Sequence, residues 1–481
     1  MRTTDITPGV INWEEVPFCD LTVSESEKYL LHDGDVVISR AGSVGYSFLL
    51  RNPQRSVFAS YLIRFRPRIN PEFLSYFLNT PAYWDAIGER SLGIAVQNVN
   101  ASTLSGIELP LPPAAEQTRI VEKLEELLSD LDAGVAELKA AQKKLIRYRQ
   151  SLLKAAVEGE LTAQWRAAQS SGQLGAPAAS AESGAALLAR ILTERRSRWE
   201  TRQLARFQAQ GKTPPKDWQA KYPVPVAPDT AGLPALPQGW VWASVDQLSP
   251  DDLANGRSVL TAESGAKVLR LTAVKHGRID LGEYKIGAWS VDEAKPFAVV
   301  QGDLLIVRGN GSLTLVGKAG MVPSVTEQVA YPDTMIRLRL VDSVVRPEWV
   351  GLLWDASITR SHLEKRARTS AGIYKISQPD IVSVVIPVPP LNEQDLMLSM
   401  FKQTSEEMQV VQAMVERGLK QSAAQRKNIL QAAFSGQFVP QDPADEPASA
   451  LLARIRAGRE VRASSAKAKK SKPSLTRSPP C

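Results

Sequence analysis

The chain has 481 residues, 43% of them apolar and 23% charged, which allows two or three domains and a soluble, cored protein. Two cysteines, Cys19 and Cys481, exclude a disulfide framework and fit a reducing cytoplasm; no apolar run reaches the roughly 18 residues of a membrane span, and no signal peptide opens the chain. The net charge is +7, but Arg454 to Cys481 holds nine Lys/Arg against one Glu, so the remainder is near neutral and bulk charge does not argue for a nucleic-acid partner.

In chain order, Gly34-Asp35 reads as a turn before a short apolar strand, Val36 to Ser39. Tyr61 to Arg66 ends in alternating apolar and basic positions, a second strand. Pro71 to Leu78 opens on proline and reads as a helix. Pro112-Pro113-Ala114-Ala115-Glu116-Gln117 then opens a helix of roughly 40 residues, about 60 Å long, that runs to Gly159. Ile120, Leu124, Leu127, Leu131, Val135, Leu138, Leu145 and Leu152 give it a three-four apolar seam. Residues 162–232 form a linker rich in Ala, Gly, Ser and Pro, with a helix predicted from Ala185 to Gln210. Trp165, Trp199 and Trp218 there either anchor a partner or cover the protein's own helices.

The same series then returns. Gly302-Asp303 precedes the strand Leu304 to Val307, Thr334 to Arg339 alternates, and Pro347 to Trp354 reads as a helix. Pro389-Pro390-Leu391-Asn392-Glu393-Gln394 opens a second long helix that ends near Gly436, with a rougher seam at Met397, Phe401, Met408, Val411, Val415, Leu419 and Ile429. The long helices match at an offset of 277 at both ends, without a gap. The globular parts match at an offset of 268 at their start. Met1 then aligns with Leu269, whereas the second globular part begins near Leu233. About 36 residues therefore have no counterpart in the first, which is expected to be incomplete and poorly stable. The predicted class is α+β. Two globular α/β units (1–111 and 233–388) each precede a long helix (112–161 and 389–438), and a basic, disordered tail (439–481) follows. Two equal helices far apart in sequence most simply pair as an antiparallel coiled coil, giving a pseudo-twofold repeat.

Gly34 to Arg40 with Gly302 to Arg308, and Leu109 to Gln117 with Ile386 to Gln394, each leading into a long helix, resemble the specificity subunit of type I restriction–modification systems. The resemblance covers most of the chain. It implies two target-recognition domains, each reading one half of a split double-stranded DNA site. It implies two antiparallel helices that hold the domains apart and dock two methyltransferase subunits. Cofactors would then sit on partners: S-adenosylmethionine on the methyltransferase subunits, ATP and Mg2+ on restriction subunits, all in the cytoplasm. A chain lacking part of its first recognition domain also fits a second function, a scaffold that docks partners without reading DNA.

No catalytic or metal constellation accompanies these motifs. Gly311 to Ala319 resembles a phosphate loop but has one residue too many between its glycines, and Ala319 stands where a magnesium-binding Ser/Thr belongs. His32, His276 and His362 are scattered. DNA contacts are the productive search. In the first unit the candidates are Arg40 and Ser43, in the loop after the Gly-Asp strand, with Arg90, Gln97 and Asn98. In the second they are Arg308, Asn310 and Ser312, with Arg366, Arg368, Tyr374 and Lys375. Arg bridges guanine O6 and N7, Asn bridges adenine, and glycine admits a close duplex. The competing reading is an ordinary glycine turn whose Arg pairs with a nearby carboxylate. Arg64, Arg66, Arg337 and Arg339 read as surface charges. Lys143, Lys144, Arg147 and Arg149, like Arg417, Lys420, Arg426 and Lys427, either lie over spacer phosphates or line a solvated helix face.

Overall fold

The computed structural model describes residues 1–7, 9–91, 99–171, 182–340 and 345–470. The chain divides into two compact units, Met1–Ala141 with Ala413–Cys481, and Gln142–Gln412. Each unit therefore holds part of both long helices, Ala114–Val157 and Leu391–Ala433.

In the first unit, Gly34 turns the chain at φ 76°, where only glycine is unstrained. The buried Asp35 accepts the backbone N–H of His32 at 3.0 Å. β1 (Val36–Ser39) follows, buried at all four positions. It lies between β2 (Ser47–Leu49) and β3 (Leu62–Phe65), antiparallel to both, with Val36 opposite Leu49 and Phe65. α1 (Pro71–Phe77) starts from Asn70, whose side chain accepts the Phe73 N–H, and uses Pro71 where no donor is needed. α2 (Pro81–Ser91) carries Tyr83, fully buried, whose hydroxyl donates to the Gly45 carbonyl at 2.7 Å. Burial pushes that phenol well above its ordinary pKa.

The second unit repeats this plan and adds to it. α3 (Gly184–Ala209) is the linker helix, one residue ahead of its predicted start and end. Its buried Leu187, Ile191 and Arg195 recur every four residues, one face of a helix. Gly184 donates to the Gly239 carbonyl at 2.7 Å, just before β4 (Val241–Ser244). β5 (Leu304–Val307) is the counterpart of β1, buried throughout. β6 (Gly309–Asn310) follows directly. β7 (Ala319–Met321) and β8 (Met335–Leu338) flank β5, with Leu304 opposite Met321 and Leu338. α4 (Pro347–Leu353), α5 (Ser357–Arg366), β9 (Arg368–Ser370), β10 (Ile373–Lys375) and β11 (Val385–Val388) complete the unit. β11 pairs antiparallel with β4. A separate three-stranded sheet is formed by Thr261–Leu269, Tyr284–Gly287 and Val329–Ala330.

The long helices pair antiparallel inside each unit. In the first, Ile120 and Leu124 share a core with Leu430 and Ala433, Asp132 pairs with Arg426 at 2.6 Å, and a Cβ on Gly418 would lie 3.0 Å from Leu138. In the second, Leu153, Ala156 and Val157 share a core with Met397. The seam departs from its predicted phase at the ends, where Leu128 and Leu153 are the deeply buried residues and Leu127 and Leu152 are only half-buried. There each helix also covers a globular core, so its buried face is wider than a coiled-coil stripe. Val411, placed in the seam by spacing, is exposed.

Part of the segment expected as a disordered tail is a helix, Ala448–Lys470. Its Ala-rich start favours helix, and Leu451 is buried. Just before it, Asp445 holds Arg119 of the first long helix at 2.7 Å.

Candidate nucleic-acid interface

Two loops that are separate in sequence join in the second unit. β6 pairs antiparallel with β10, Gly309 opposite Lys375 and Asn310 opposite Tyr374, and β10 pairs with β9, Arg368 opposite Lys375. The result is a three-stranded sheet of its own, in the order β6-β10-β9. Its hairpin turns at Ala371 and Gly372, with φ 51° and 76°. Two successive positive φ values match the right-handed twist of a tight hairpin. Ile376 donates to the Arg308 carbonyl at 2.9 Å, tying the hairpin to the end of β5.

This sheet gathers Arg308, Asn310, Arg368, Tyr374 and Lys375, with Ser312 in the loop after β6 and Arg366 at the end of α5. Arg308, Arg366, Arg368 and Lys375 are exposed. None of the four forms an ion pair among the described residues, whereas Arg339, Arg346 and Arg360 of the same unit are each paired. The reading of a glycine turn with a carboxylate-paired Arg308 is therefore not what the geometry shows. Asn310 Oδ1 accepts the Ser312 N–H at 2.9 Å, which shapes the loop.

Arg366 has a different partner. Its Nη1 lies 3.2 Å from His362 Nδ1, and His362 Nε2 lies 3.2 Å from the Asp380 carbonyl and 3.0 Å from Ser383 Oγ. A guanidinium only donates, so Nδ1 accepts and Nε2 carries the proton. Burial first, then the Arg366 charge, holds this imidazole below its ordinary pKa.

In the first unit, Arg40 follows β1 as Arg308 follows β5, and Val99 donates to its carbonyl at 3.0 Å, repeating the Ile376 bond. Ser43 is exposed beside Gly42, which sits at φ 80°. The backbone of Arg90 lies in the last turn of α2, while its side chain, Gln97 and Asn98 lie outside the described residues.

The strand arginines are structural rather than simple surface charges. Arg339 forks onto the fully buried Asp303 at 2.6 and 2.7 Å, and Arg66 Nε lies 3.3 Å from Asp35. Arg64 and Arg337 donate to the carbonyls of Leu30 and Ala298. Thus the aspartate of each Gly-Asp turn holds the end of a strand paired with the one that follows it, β3 in the first unit and β8 in the second, a pairing that local spacing does not signal. The phosphate-loop lookalike leads into β7, not a helix, and its Lys318 pairs with Asp355 at 2.7 Å. Trp199 stacks on Trp218 at 5.7 Å with Tyr222 edge-on, so these linker aromatics cover one another. Among the described residues no group of three His, Cys, Asp or Glu is placed to hold a metal, and no helix is long and apolar enough to cross a membrane.

Residues 12–141 match the family model of the type I restriction modification DNA specificity domain. The chain is 25% identical over 476 residues to the specificity subunit of the type I restriction enzyme EcoKI of Escherichia coli K12, across 95% of this chain and 88% of that one. It is 25% identical over 477 residues to the StySPI specificity subunit of Salmonella potsdam, across 96% and 88%. Nearly the whole chain is therefore similar to type I restriction–modification specificity subunits. Its role is sequence-specific DNA recognition in a type I system, a non-catalytic role. The fold agrees: a chain from a solved type I R-M system assembly aligns at a TM-score of 0.52, 16% identical, across 85% of this chain and 83% of that one.

Proposed function

We propose that this chain reads a bipartite double-stranded DNA site, one half through the loops after β1 and the other through the sheet β6-β10-β9. The observation that carries the reading is the set of exposed, carboxylate-free cations Arg308, Arg368 and Lys375 on one small sheet beside Asn310. Arg308 and Asn310 would read base edges. Ser312, Arg366, Arg368, Tyr374 and Lys375 would position phosphates and sugars. Arg40, Ser43, Arg90, Gln97 and Asn98 would serve the other half-site. Lys143, Lys144 and Arg147, exposed on the first long helix, suit phosphates between the halves.

The repeated helices would dock two methyltransferase subunits using S-adenosylmethionine, and the assembly would recruit restriction subunits using ATP and Mg2+ in the cytoplasm. Ile146 and Tyr148 on one helix, and Val410 and Val411 on the other, are exposed and apolar, as docking surfaces require. The test is footprinting of the complex co-expressed with its methyltransferase. Two protected patches flanking an unprotected spacer are expected, with two methyltransferase subunits per chain by native mass spectrometry. Assembly without sequence-selective protection would favour the scaffold role, and saturation at one-to-one would remove the doubled docking surface.

A further inference from the structure

The loops that follow β1 and β5 close in the same way. Ser39 accepts the Gly45 N–H and donates to the Tyr46 carbonyl, both at 2.8 Å; Val307 accepts the Gly317 N–H at 2.9 Å and donates to the Lys318 carbonyl at 2.7 Å. Arg40 and Arg308 therefore begin matched loops, and Gly45 and Gly317, at φ 81° and 71°, end them. The carbonyl of each closing glycine is capped by a buried aromatic donor, but from a different place in the fold. In the first unit the Tyr83 hydroxyl, from α2, donates to Gly45 at 2.7 Å. In the second the indole Nε1 of Trp354, the C-cap of α4, donates to Gly317 at 2.8 Å. Counted from Pro71 and Pro347, Leu78 stands where Trp354 does and Thr359 where Tyr83 does, so neither unit carries the other's donor. Two non-equivalent side chains reach one equivalent carbonyl, which makes the held loop end the shared feature.

The second loop, residues 308–316, is the longer one, and it has a further anchor. Arg360 of α5 is 9% exposed and donates through Nη2 to the carbonyls of Thr314 at 3.2 Å and Val316 at 2.9 Å. The same nitrogen meets Glu364 at 3.0 Å, while Nη1 has no hydrogen-bond partner among the described residues. A buried guanidinium so incompletely paired is a poor source of net stability. What it does supply is one fixed path for residues 311–318, which belong to no strand.

We propose that Trp354 and Arg360 are positioning residues for the second half-site, and Tyr83 for the first. All three are buried and act without touching DNA. They hold the loops that carry Arg308, Asn310 and Ser312 in one unit and Arg40 and Ser43 in the other. This role rests on the reading of those loops as the base readers. Base readout needs its donors held to within about 0.5 Å, whereas phosphate contacts supply affinity without sequence information. A loop that loses its anchor therefore loses its preference among bases before it loses binding.

The test is competition binding by the complex co-expressed with its methyltransferase, on duplexes built from the sequence that this complex modifies, with single base changes in either half. Arg360→Met keeps an unbranched side chain in place and removes both carbonyl anchors. It should cut discrimination at the second half-site roughly tenfold, the scale of one base contact, and leave the first half-site as it was. Arg360→Lys, whose ammonium still donates, should recover part of that loss. Tyr83→Phe removes a single oxygen and should relax the first half-site alone. Arg308→Ala, run beside them, checks the reading of the loop. If it leaves the second half-site unchanged, the loop does not read bases, and the proposal falls with that reading. If Arg308→Ala relaxes the half-site while Arg360→Met leaves it intact, or weakens every sequence equally, the proposal alone is overturned. An unchanged first half-site in Tyr83→Phe removes that residue from the role and, should Arg360→Met fail to assemble, overturns the proposal.

Discussion

The side-chain oxygen of Gln394 accepts the backbone N–H of Arg346 at 2.9 Å, while its amide nitrogen donates to the Pro389 carbonyl at 2.9 Å. The partner residue is the N-cap of α4, so one carboxamide fixes the start of the long helix against the start of α4. Gln117 does the same in the first unit, with Asn70 at 3.0 Å and Pro112 at 2.9 Å. Both glutamines are fully buried. Gln117→Leu and Gln394→Leu each orphan a buried donor and a buried acceptor, costing roughly 1–3 kcal/mol per group. Gln→Glu keeps the acceptor and should fall between. Urea unfolding of the four variants measures this, and leucine variants as stable as the parent would show that water replaces the carboxamide.

For recognition, Arg308→Ala and Asn310→Ala should relax one half-site by roughly 1–3 kcal/mol for each bidentate pairing with a base that is removed, leaving the other half-site unchanged. Arg368→Ala and Lys375→Ala should instead weaken all sequences alike and lower the salt slope by about one each. Competition binding across half-site variants at several salt concentrations separates the two. Relaxation of the other half-site would move the reading residues off this sheet.

His362 predicts a pH dependence. Its folded pKa lies below the ordinary value because of burial and Arg366. At pH above the unfolded value of about 6.5 it is neutral in both states and costs nothing. As pH falls below that value, the unfolded state takes up the proton first, so stability declines through the depressed folded pKa. Protonation at Nδ1 also removes the acceptor for Arg366. The His362 ring signals should titrate below 6.5, and His362→Gln should flatten the stability profile there. A titration at or above 6.5 would contradict the assigned contacts.

Two glycine substitutions should act in opposite directions. Gly134 sits inside the first long helix with open space around it, so Gly134→Ala should stabilise by about 0.5–1 kcal/mol. At Gly184 an added Cβ would collide with the carbonyl of Val388, so Gly184→Ala must push α3 away from β11. A loss of about 1–3 kcal/mol in thermal unfolding is expected.

Much of the scaffold was legible in the residues. β1 and β5 fall where the Gly-Asp turns place them, and both long helices run between the Pro-Pro and glycine signals. These are local features, written within a few residues of the element they specify. What escaped depends on contacts distant in sequence. Asp303 and Arg339 are 36 residues apart, so the strand arginines read as surface charges. The burial of Leu128 over Leu127 follows from the globular core behind the helix, which periodicity does not encode. Arg308 and Arg368 were each candidates, but only the pairing of β6 with β10 makes them neighbours. The helix at Ala448–Lys470 lay under a compositional signal for disorder that its alanines and Leu451 outweigh.

The hairpin of β9 and β10 is joined to the rest of its unit by few backbone bonds, through β6 and the Ile376–Arg308 link. None of its exposed residues contributes to the buried core around Leu304 and Ile306. Under the proposed reading, this makes target preference and foldability separately inheritable. A lineage can rewrite the exposed positions from Arg368 to Lys375, Tyr374 excepted because it packs against that core, by drift or recombination without disturbing the Gly-Asp turns or the glutamine clamps. A host that must keep changing the DNA sequences it recognises would draw new specificities from these seven positions while the machinery that docks on the helices stays the same.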